Sequence, residues 1–353
     1  MTLHSLRLAD FRCYRSLSLD LPVGLTLITG DNAQGKTSLL EAVCLLLRLQ
    51  SPRTATPREL IRMGATGFGV AGRLGERELR HTLGPSGRHL VVDGEPCRRP
   101  GDYLSAAGLV VWMGNSDLEL VHGPGEGRRR YLDFLGVQLY PEYRNALQAC
   151  DKALRARNSL LRRDASPPWR QIDAWTTTLS AHAAVLSGLR RTLVQVLAPH
   201  AAAAHQAVST AGESLALTYS PGSEEDLAAQ LLRLRPDETR RRLTLAGPQR
   251  DDLILTINEL PAARFASEGQ QRTIALALKL AQPPLLHALR GSHPVLLLDD
   301  IFGELDPNRR NALLDALPPG AQKIITTTHL QWMHERIQPA ALWHLSHGEL
   351  SGT

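Results

Sequence analysis

Lysine is scarce in this chain. Only Lys36, Lys152, Lys279 and Lys323 occur, so arginine supplies most of the 40 basic residues. The net charge of +5 is compatible with a polyanionic partner but does not require one. Aromatic residues make up only 5%, too few for a groove that grips single strands by base stacking, so a nucleic-acid partner would be met at its duplex backbone. The four cysteines (Cys13, Cys44, Cys97 and Cys150) lie far apart with no CxxC pair, so neither a zinc site nor a disulfide framework is suggested. No apolar run approaches the ~20 residues of a membrane span. The opening MTLHSLRLADFRCY spreads its charge through a strand-like pattern instead of forming a basic head and an apolar block, so it is not a signal peptide. A cytoplasmic protein is expected. With 353 residues, 43% hydrophobic and 21% charged, the chain exceeds one minimal domain and can bury a sizeable core.

Periodicity then sorts the chain. Leu3, Leu6 and Leu8, followed by Leu17, Leu19 and Leu21, alternate as half-buried strands do. The apolar run 25–29 ends at Gly30, and TSLLEAVCLLLRLQ from Thr37 reads as a buried helix. Residues 67–96 read as further strands, with Asp93-Gly94 a two-residue hairpin turn. Composition changes near residue 125: from Arg128 to Arg163 basic residues far outnumber Asp133, Glu142 and Asp151. Ile172, Trp175, Leu179, His182, Leu186, Leu189, Leu193 and Val196 step by three and four along one helix face, and Pro199 is expected to stop that helix. Segment 140–200 therefore predicts two packed helices. Strands follow at 253–257, 295–298 and 323–328, with a helix over 268–282 closed by Pro283-Pro284. The predicted organisation is one ATPase lobe split in sequence (1–126 and 246–353) around an inserted helical lobe (127–245).

Three motifs carry chemistry. Gly30-Asp31-Asn32-Ala33-Gln34-Gly35-Lys36-Thr37, followed by Ser38, matches the phosphate-binding loop between a strand and a helix. Its backbone N–H groups and the helix N-terminus cradle phosphates, Lys36 reaches the β/γ-phosphates and the Thr37 hydroxyl binds Mg²⁺. The nucleotide is expected to be ATP. Val295-Leu-Leu-Leu-Asp299-Asp300 is a buried strand ending in two carboxylates: Asp299 for the Mg²⁺ shell, Asp300 to orient or deprotonate the attacking water. Ser267-Glu268-Gly269-Gln270 is by itself a capped helix. About 30 residues ahead of the acidic strand, it also stands where an ABC signature loop offers its hydroxyl and glycine N–H to the γ-phosphate held by a second subunit. Gly303-Glu304-Leu305-Asp306 follows as a D-loop would, and His329 stands at a switch-histidine position.

With these motifs in place, the sequence resembles the RecF family of bacterial DNA-repair ATPases from end to end. LRLADFRCY, GDNAQGKTSLLEA, SDLELVHGPGEGRRRYLD at 116–133, AGPQRDD at 246–252, SEGQQRT and LLLDDIFGELD carry the resemblance. It implies an α/β ABC-type head related to SMC proteins, with an inserted α-helical lobe. It also implies ATP-dependent dimerisation, slow hydrolysis, DNA binding, and work with RecR and RecO to bring RecA to gapped or damaged DNA. SEGQ in place of LSGGQ, and Asp300 in place of the usual glutamate, fit slow turnover. No glutamine occupies the expected Q-loop at 112–119, where Asn115 is the candidate.

Arg128, Arg129 and Arg130, with Arg53, Arg58 and Arg62, are the candidate DNA contacts, although any single arginine in a charge run is as readily a solvated surface group. Arg250 is expected to be structural or nucleotide-adjacent. A transporter ATPase would need LSGGQ and a Q-loop. An SMC-type clamp would need far longer coiled coils than this insertion provides.

Overall fold

A computed structural model describes the chain except residues 1, 164–165, 210–211, 304, 331, 334–337 and 353. The chain divides into two compact units, one formed by Met1–Asn115 and Leu286–Thr353, the other by Ser116–Leu285.

The first unit holds two six-stranded sheets. In the antiparallel one, β1 (Leu3–Phe11) lies between β2 (Tyr14–Asp20) and β4 (Phe68–Leu74), and β5 (Arg77–Gly84), β6 (Gly87–Val92) and β7 (Glu95–Pro96) extend it outward. Asp93 and Gly94 join β6 to β7 with φ of 52° and 83°, the two positive values that a tight hairpin needs. The second sheet runs β15-β14-β3-β13-β12-β8. Its strands are β3 (Leu25–Thr29), β8 (Val110–Gly114), β12 (Val295–Asp299), β13 (Lys323–Thr327) and β14 (Ala341–Ser346), all parallel, with β15 (Glu349–Gly352) antiparallel at the edge. Strands β8 and β12 are apolar and buried almost throughout, as strands covered on both faces must be, and β13 is buried from Ile324 to Thr327. Helix α1 (Lys36–Arg48) is buried on nearly all sides. Helices α2 (Pro100–Ala106) and α12 (Pro307–Ala316) complete the described α-helices lying wholly in this unit.

In the second unit, α3 (Glu119–His122) and α4 (Gly125–Leu139) lead into α5 (Tyr143–Arg163) and α6 (Trp169–Val208). Helix α6 has 40 residues and so spans about 60 Å. It passes through Pro199 without ending there. The Ala-rich sequence beyond has high helix propensity, and Leu197, Ala201, His205 and Val208 prolong the buried face, which outweighs the lost hydrogen bond. That face also has a different phase from the expected one. Thr176, Ala183 and Arg190 are buried between Ile172, Leu179, Leu186 and Leu193, while Trp175, His182 and Leu189 flank the stripe half-buried. Tyr143, Ala146, Cys150 and Ala153 of α5 pack on this face with Leu227 and Leu231 of α7 (Leu227–Arg233). Helix α8 (Arg235–Arg241) follows, and a small sheet pairs β10 (Asp252–Ile257) with β9 (Leu215–Ser220) and β11 (Leu260–Pro261).

The unit ends with α9 (Ala262–Phe265) and α10 (Glu268–Leu280), and α11 (Gln282–Arg290) leads back to the first unit. Pro283 and Pro284 sit in the first turn of α11, where a missing N–H costs nothing, so they open a helix as well as closing one. The boundaries at Ser116 and Leu285 differ from those expected at 127 and 245. Helix α10 packs on α6, the Tyr131 hydroxyl donates to the Leu278 carbonyl at 2.6 Å, and Lys279 pairs with Asp117 at 2.8 Å. Helix α10 is thereby part of the helical unit.

Candidate nucleotide site

The phosphate loop is shaped by residues that tolerate positive φ. Gly30 has φ 152°, and a Cβ there would stand 2.3 Å from the Leu345 carbonyl oxygen of β14. Gly35 has φ 110°, and a Cβ there would meet the Cys13 sulfur at 2.7 Å and the Tyr14 hydroxyl at 2.8 Å. Only glycine satisfies both the dihedral and the close approach. The loop is pinned from its surroundings. Tyr14 donates to the Gly35 carbonyl at 3.0 Å, the Ser38 hydroxyl meets the Cys13 thiol, and the Gln34 side-chain oxygen accepts from the His347 N–H at 2.6 Å. Asp31, Asn32 and Ala33 remain exposed at its crown, Ala33 with φ 65°.

Lys36 is buried, and its ammonium donates to the carbonyls of Gly30 at 2.6 Å and Asp31 at 2.8 Å. Burial lowers its pKa, against the opposing pull of Asp300, Asp299 and Asp31. At the next residue, the Thr37 hydroxyl donates to Asp299 Oδ1 at 3.0 Å, and Thr326 donates to the same oxygen at 2.9 Å. Strand β13 lies between β3 and β12 in the sheet, so Thr326 bridges the two halves of the site. Burial raises the Asp299 pKa; the two threonine hydroxyls hold it down and neighbouring Asp300 adds to the rise. A hydroxyl and a carboxylate already hydrogen-bonded to each other are the oxygen donors that Mg²⁺ takes from a protein, so these residues fit the ion.

Asp300 leaves β12 with φ 51°, a left-handed conformation that costs a non-glycine residue roughly 1–2 kcal/mol. Strand β13 and the residues after it hold it there: the Asp300 N–H donates to the Thr326 carbonyl at 3.1 Å, and its Oδ1 accepts from the Thr328 N–H at 3.3 Å. Beyond β13 the His329 carbonyl accepts from Thr327, whose hydroxyl also accepts from the indole of Trp332 at 2.9 Å. Trp332 stacks on Phe302 with centroids 4.3 Å apart. The exposed His329 ring lies beside Gly303, with Cε1 3.8 Å from where a Cβ would stand. Asp306 caps α12, accepting from the Arg309 N–H at 3.0 Å, the largest cause of its lowered pKa. Glu304 of the expected D-loop lies outside the described residues.

In the helical unit Ser267 is the N-cap of α10. Its hydroxyl accepts from the Gln270 N–H at 3.3 Å, and its own N–H donates to the Gln270 side chain at 2.7 Å. This is a complete capping box. Ser267 is exposed and Gly269 half-buried. Asn115 is exposed just past β8, the strand beside β12.

The arginines divide into two groups. Arg128 is taken up by Asp252 at 2.7 and 2.8 Å and by the carbonyls of Leu120 and Gly123, and Arg129 donates to the Asp251 carbonyl at 2.9 Å. Both knit the helical unit together, and Asp252 neutralises Arg128, leaving it little charge for an external phosphate. Arg130, beside Glu126, is 71% exposed. Arg62 pairs with Asp10 at 2.7 Å, and Arg58 is exposed. Arg53 lies 3.6 Å from the buried Glu41, which Arg12 holds through two hydrogen bonds of 2.8 Å, and it also lowers the Asp299 pKa. It belongs electrostatically to the nucleotide site. Arg250, expected to be structural or nucleotide-adjacent, is exposed at the end of the 3-10 turn Pro248–Arg250. Sequence reasoning gave no role at the site to Thr326, Cys13 and Tyr14, which reach the loop only through the fold.

A phosphate loop on β3, paired carboxylates at the end of β12, and a helical unit inserted between them in the sequence give the chain the fold of an ABC-type ATPase head. Residues 5–76 match the family model described as an AAA domain. The DNA replication and repair protein RecF of Synechococcus sp. (strain JA-2-3B'a(2-13)) is 40% identical over 350 residues, covering 94% of this chain and 92% of that protein. RecF of Gloeobacter violaceus (strain ATCC 29082 / PCC 7421) is likewise 40% identical, over 357 residues, covering 94% and 95%. The structure of the recombination mediator protein RecF-ATP in the RecFOR pathway superposes with a TM-score of 0.88 at 27% identity, covering 99% of this chain and 97% of that one. The Smc head of Pyrococcus furiosus shares the fold, with a TM-score of 0.55 at 15% identity, covering 99% and 95%. The chain belongs to the RecF family.

Proposed function

We propose that this protein is an ATP-dependent, dimerising DNA-binding protein of recombinational repair, a weak ATPase that uses nucleotide as a conformational switch. The observation that carries this reading is the Thr37–Asp299–Thr326 hydrogen-bond chain, with Asp300 held beside it in a strained conformation. Lys36 exchanges the carbonyls of Gly30 and Asp31 for phosphate oxygens, while the N–H groups from Gly30 to Ser38 cradle the phosphates. Thr37 and Asp299 hold Mg²⁺, which when bound neutralises charge on the phosphate oxygens. Asp300 accepts the proton of the attacking water, and His329 lies across Gly303 as a second polar group for the terminal phosphate.

Ser267, Gly269 and Gln270 of a second copy complete the site, with Asp306 beside the shared surface. In its capping box Ser267 spends one acceptor site on the Gln270 N–H, so its O–H remains a donor toward a phosphate. Nucleotide is then part of the dimer interface, and hydrolysis releases it. Working with RecR and RecO to bring RecA to gapped DNA is the pathway role this reading assigns.

Asp300→Asn tests the chemistry. Losing the base is expected to slow hydrolysis roughly 100-fold or more, with ATP affinity kept and the ATP-bound dimer longer-lived. Wild-type turnover in that variant would remove Asp300 from its role.

A further inference from the structure

The buried ion pairs of the helical unit point to a surface that the family motifs do not include. Arg157, in the last third of α5, is 1% exposed and reaches Glu238 of α8, itself fully buried, at 3.1 and 3.3 Å. It also donates to Thr244 at 2.7 Å and to Thr176 of α6 at 3.0 Å. Asn158 accepts from the Thr244 N–H at 2.8 Å, and Arg235 at the start of α8 pairs with Asp173 of α6 and lies over the Trp169 ring at 4.6 Å. Together these bonds fix α8 across the α5–α6 hairpin at the end where the two helices connect.

The groups this anchoring gathers are mostly of one sign. Arg162 and Arg163 close α5, Arg170 opens α6, and Arg240, Arg241 and Arg242 close α8, all exposed. The described acids among them are already engaged, Asp173 by Arg235, Asp237 by Arg240 and Glu238 by Arg157. The one acid of the connecting sequence, Asp164, lies outside the described residues. Favourable placement at helix C-termini accounts for an arginine or two on α5 and α8. It does not account for Arg170, a cation in the first turn of α6, where the helix dipole opposes it. Like charges are thus held together against their repulsion by a buried ion pair.

We infer that this arginine cluster at the α5–α6–α8 tip is a docking surface for the sugar–phosphate backbone of duplex DNA. Guanidinium groups bind phosphate through paired N–H donors. Trp169, the tryptophan beside the cluster, is covered by Arg235, so recognition goes to the backbone and not to base faces. The inference rests on the DNA-binding function proposed above and moves its contacts away from Arg128, which is paired with Asp252, and from Arg129, which is tied to the Asp251 carbonyl.

The test uses the full-length protein with ATP and Mg²⁺, titrated onto a labelled short DNA duplex at several salt concentrations. Two variants are compared with wild type: Arg162→Ala, Arg170→Ala, Arg241→Ala and Arg242→Ala combined, and the same four positions changed to Lys. The alanine variant is expected to bind at least about tenfold more weakly, with a shallower dependence of log affinity on log salt, by about 0.9 for each phosphate left unneutralised. The lysine variant is expected to keep the slope, which separates charge from any structural role. If wild type binds duplex and the alanine variant matches it in affinity and slope, the tip is not the docking surface and the inference falls alone. Loss of binding to poly-glutamate with unchanged duplex binding also overturns it, in favour of an acidic protein. A wild type that binds no duplex at all brings down the proposed function together with this inference.

Discussion

Replacing Arg190 by Met strikes the most heavily connected charge in the helical unit. The guanidinium is 3% exposed and donates to Asp133 Oδ1 at 2.8 Å, Asp251 Oδ2 at 2.8 Å and the Pro248 carbonyl at 2.7 Å. Removing one partner of a buried ion pair costs about 3–5 kcal/mol, because the remaining charge stays buried. Here the carboxylates are not left bare. Asp251 keeps the Tyr219 hydroxyl at 2.6 Å and the Gly222 N–H at 2.8 Å, and Asp133 keeps the Tyr143 hydroxyl at 2.6 Å. The expected loss is therefore at the lower end, about 3 kcal/mol. For a unit of this size that corresponds to roughly 6–12 °C in melting temperature. Urea unfolding followed by circular dichroism measures it directly. Adding Asp251→Asn to the Met variant is expected to restore at least about 1 kcal/mol by removing the uncompensated charge. A loss below about 1 kcal/mol, or a further loss on adding Asp251→Asn, would refute the reasoning.

Three other outcomes follow from the same geometry. Gly35→Ala places a methyl against Cys13 and Tyr14 at positive φ and is expected to abolish ATP binding measured by calorimetry while the circular dichroism spectrum is kept. His81 is 4% exposed with its pKa pushed down to about 4 by burial, aided by Arg88. The unfolded chain therefore binds the extra proton first as pH falls below about 6.5, and about 3 kcal/mol of stability is lost on the way to pH 4. His81→Phe is expected to flatten that part of a melting-temperature profile, and an unchanged profile would remove His81 as its source. Thr326→Val removes one hydroxyl from Asp299 and is expected to weaken Mg²⁺-dependent ATP binding about tenfold, roughly the worth of one hydrogen bond to a charged group, with Mg²⁺-free binding unchanged in the same titration.

Much of the site was legible because its parts are contiguous. The phosphate loop, the acidic end of β12 and the capping box at Ser267 each occupy a few neighbouring residues with a fixed local geometry. What escaped depends on long-range packing. Thr326 joins Asp299 because β13 threads between β3 and β12, and no spacing in the sequence encodes that order. Arg128 reads as a surface cation from its neighbours in sequence, yet Asp252, far along the chain, holds it. On α6 a heptad count follows steps of three and four, and so selects Trp175, His182 and Leu189. The fold instead turns Thr176, Ala183 and Arg190 inward, since small residues let α5 approach and Arg190 finds buried carboxylates. Pro199 misleads for a related reason: a local rule for stopping helices yields to a buried stripe that continues past it.

The central claim is that nucleotide closes two copies of the chain on each other. Size-exclusion chromatography with light scattering, with and without ATP and Mg²⁺, tests it on wild type, Lys36→Ala and Ser267→Arg. The account predicts that wild type shifts from monomer to dimer on ATP. Lys36→Ala should neither bind nor dimerise, and Ser267→Arg should bind ATP yet remain a monomer. An ATP-dependent dimer of Ser267→Arg, or a wild type that stays monomeric with ATP bound, would contradict it.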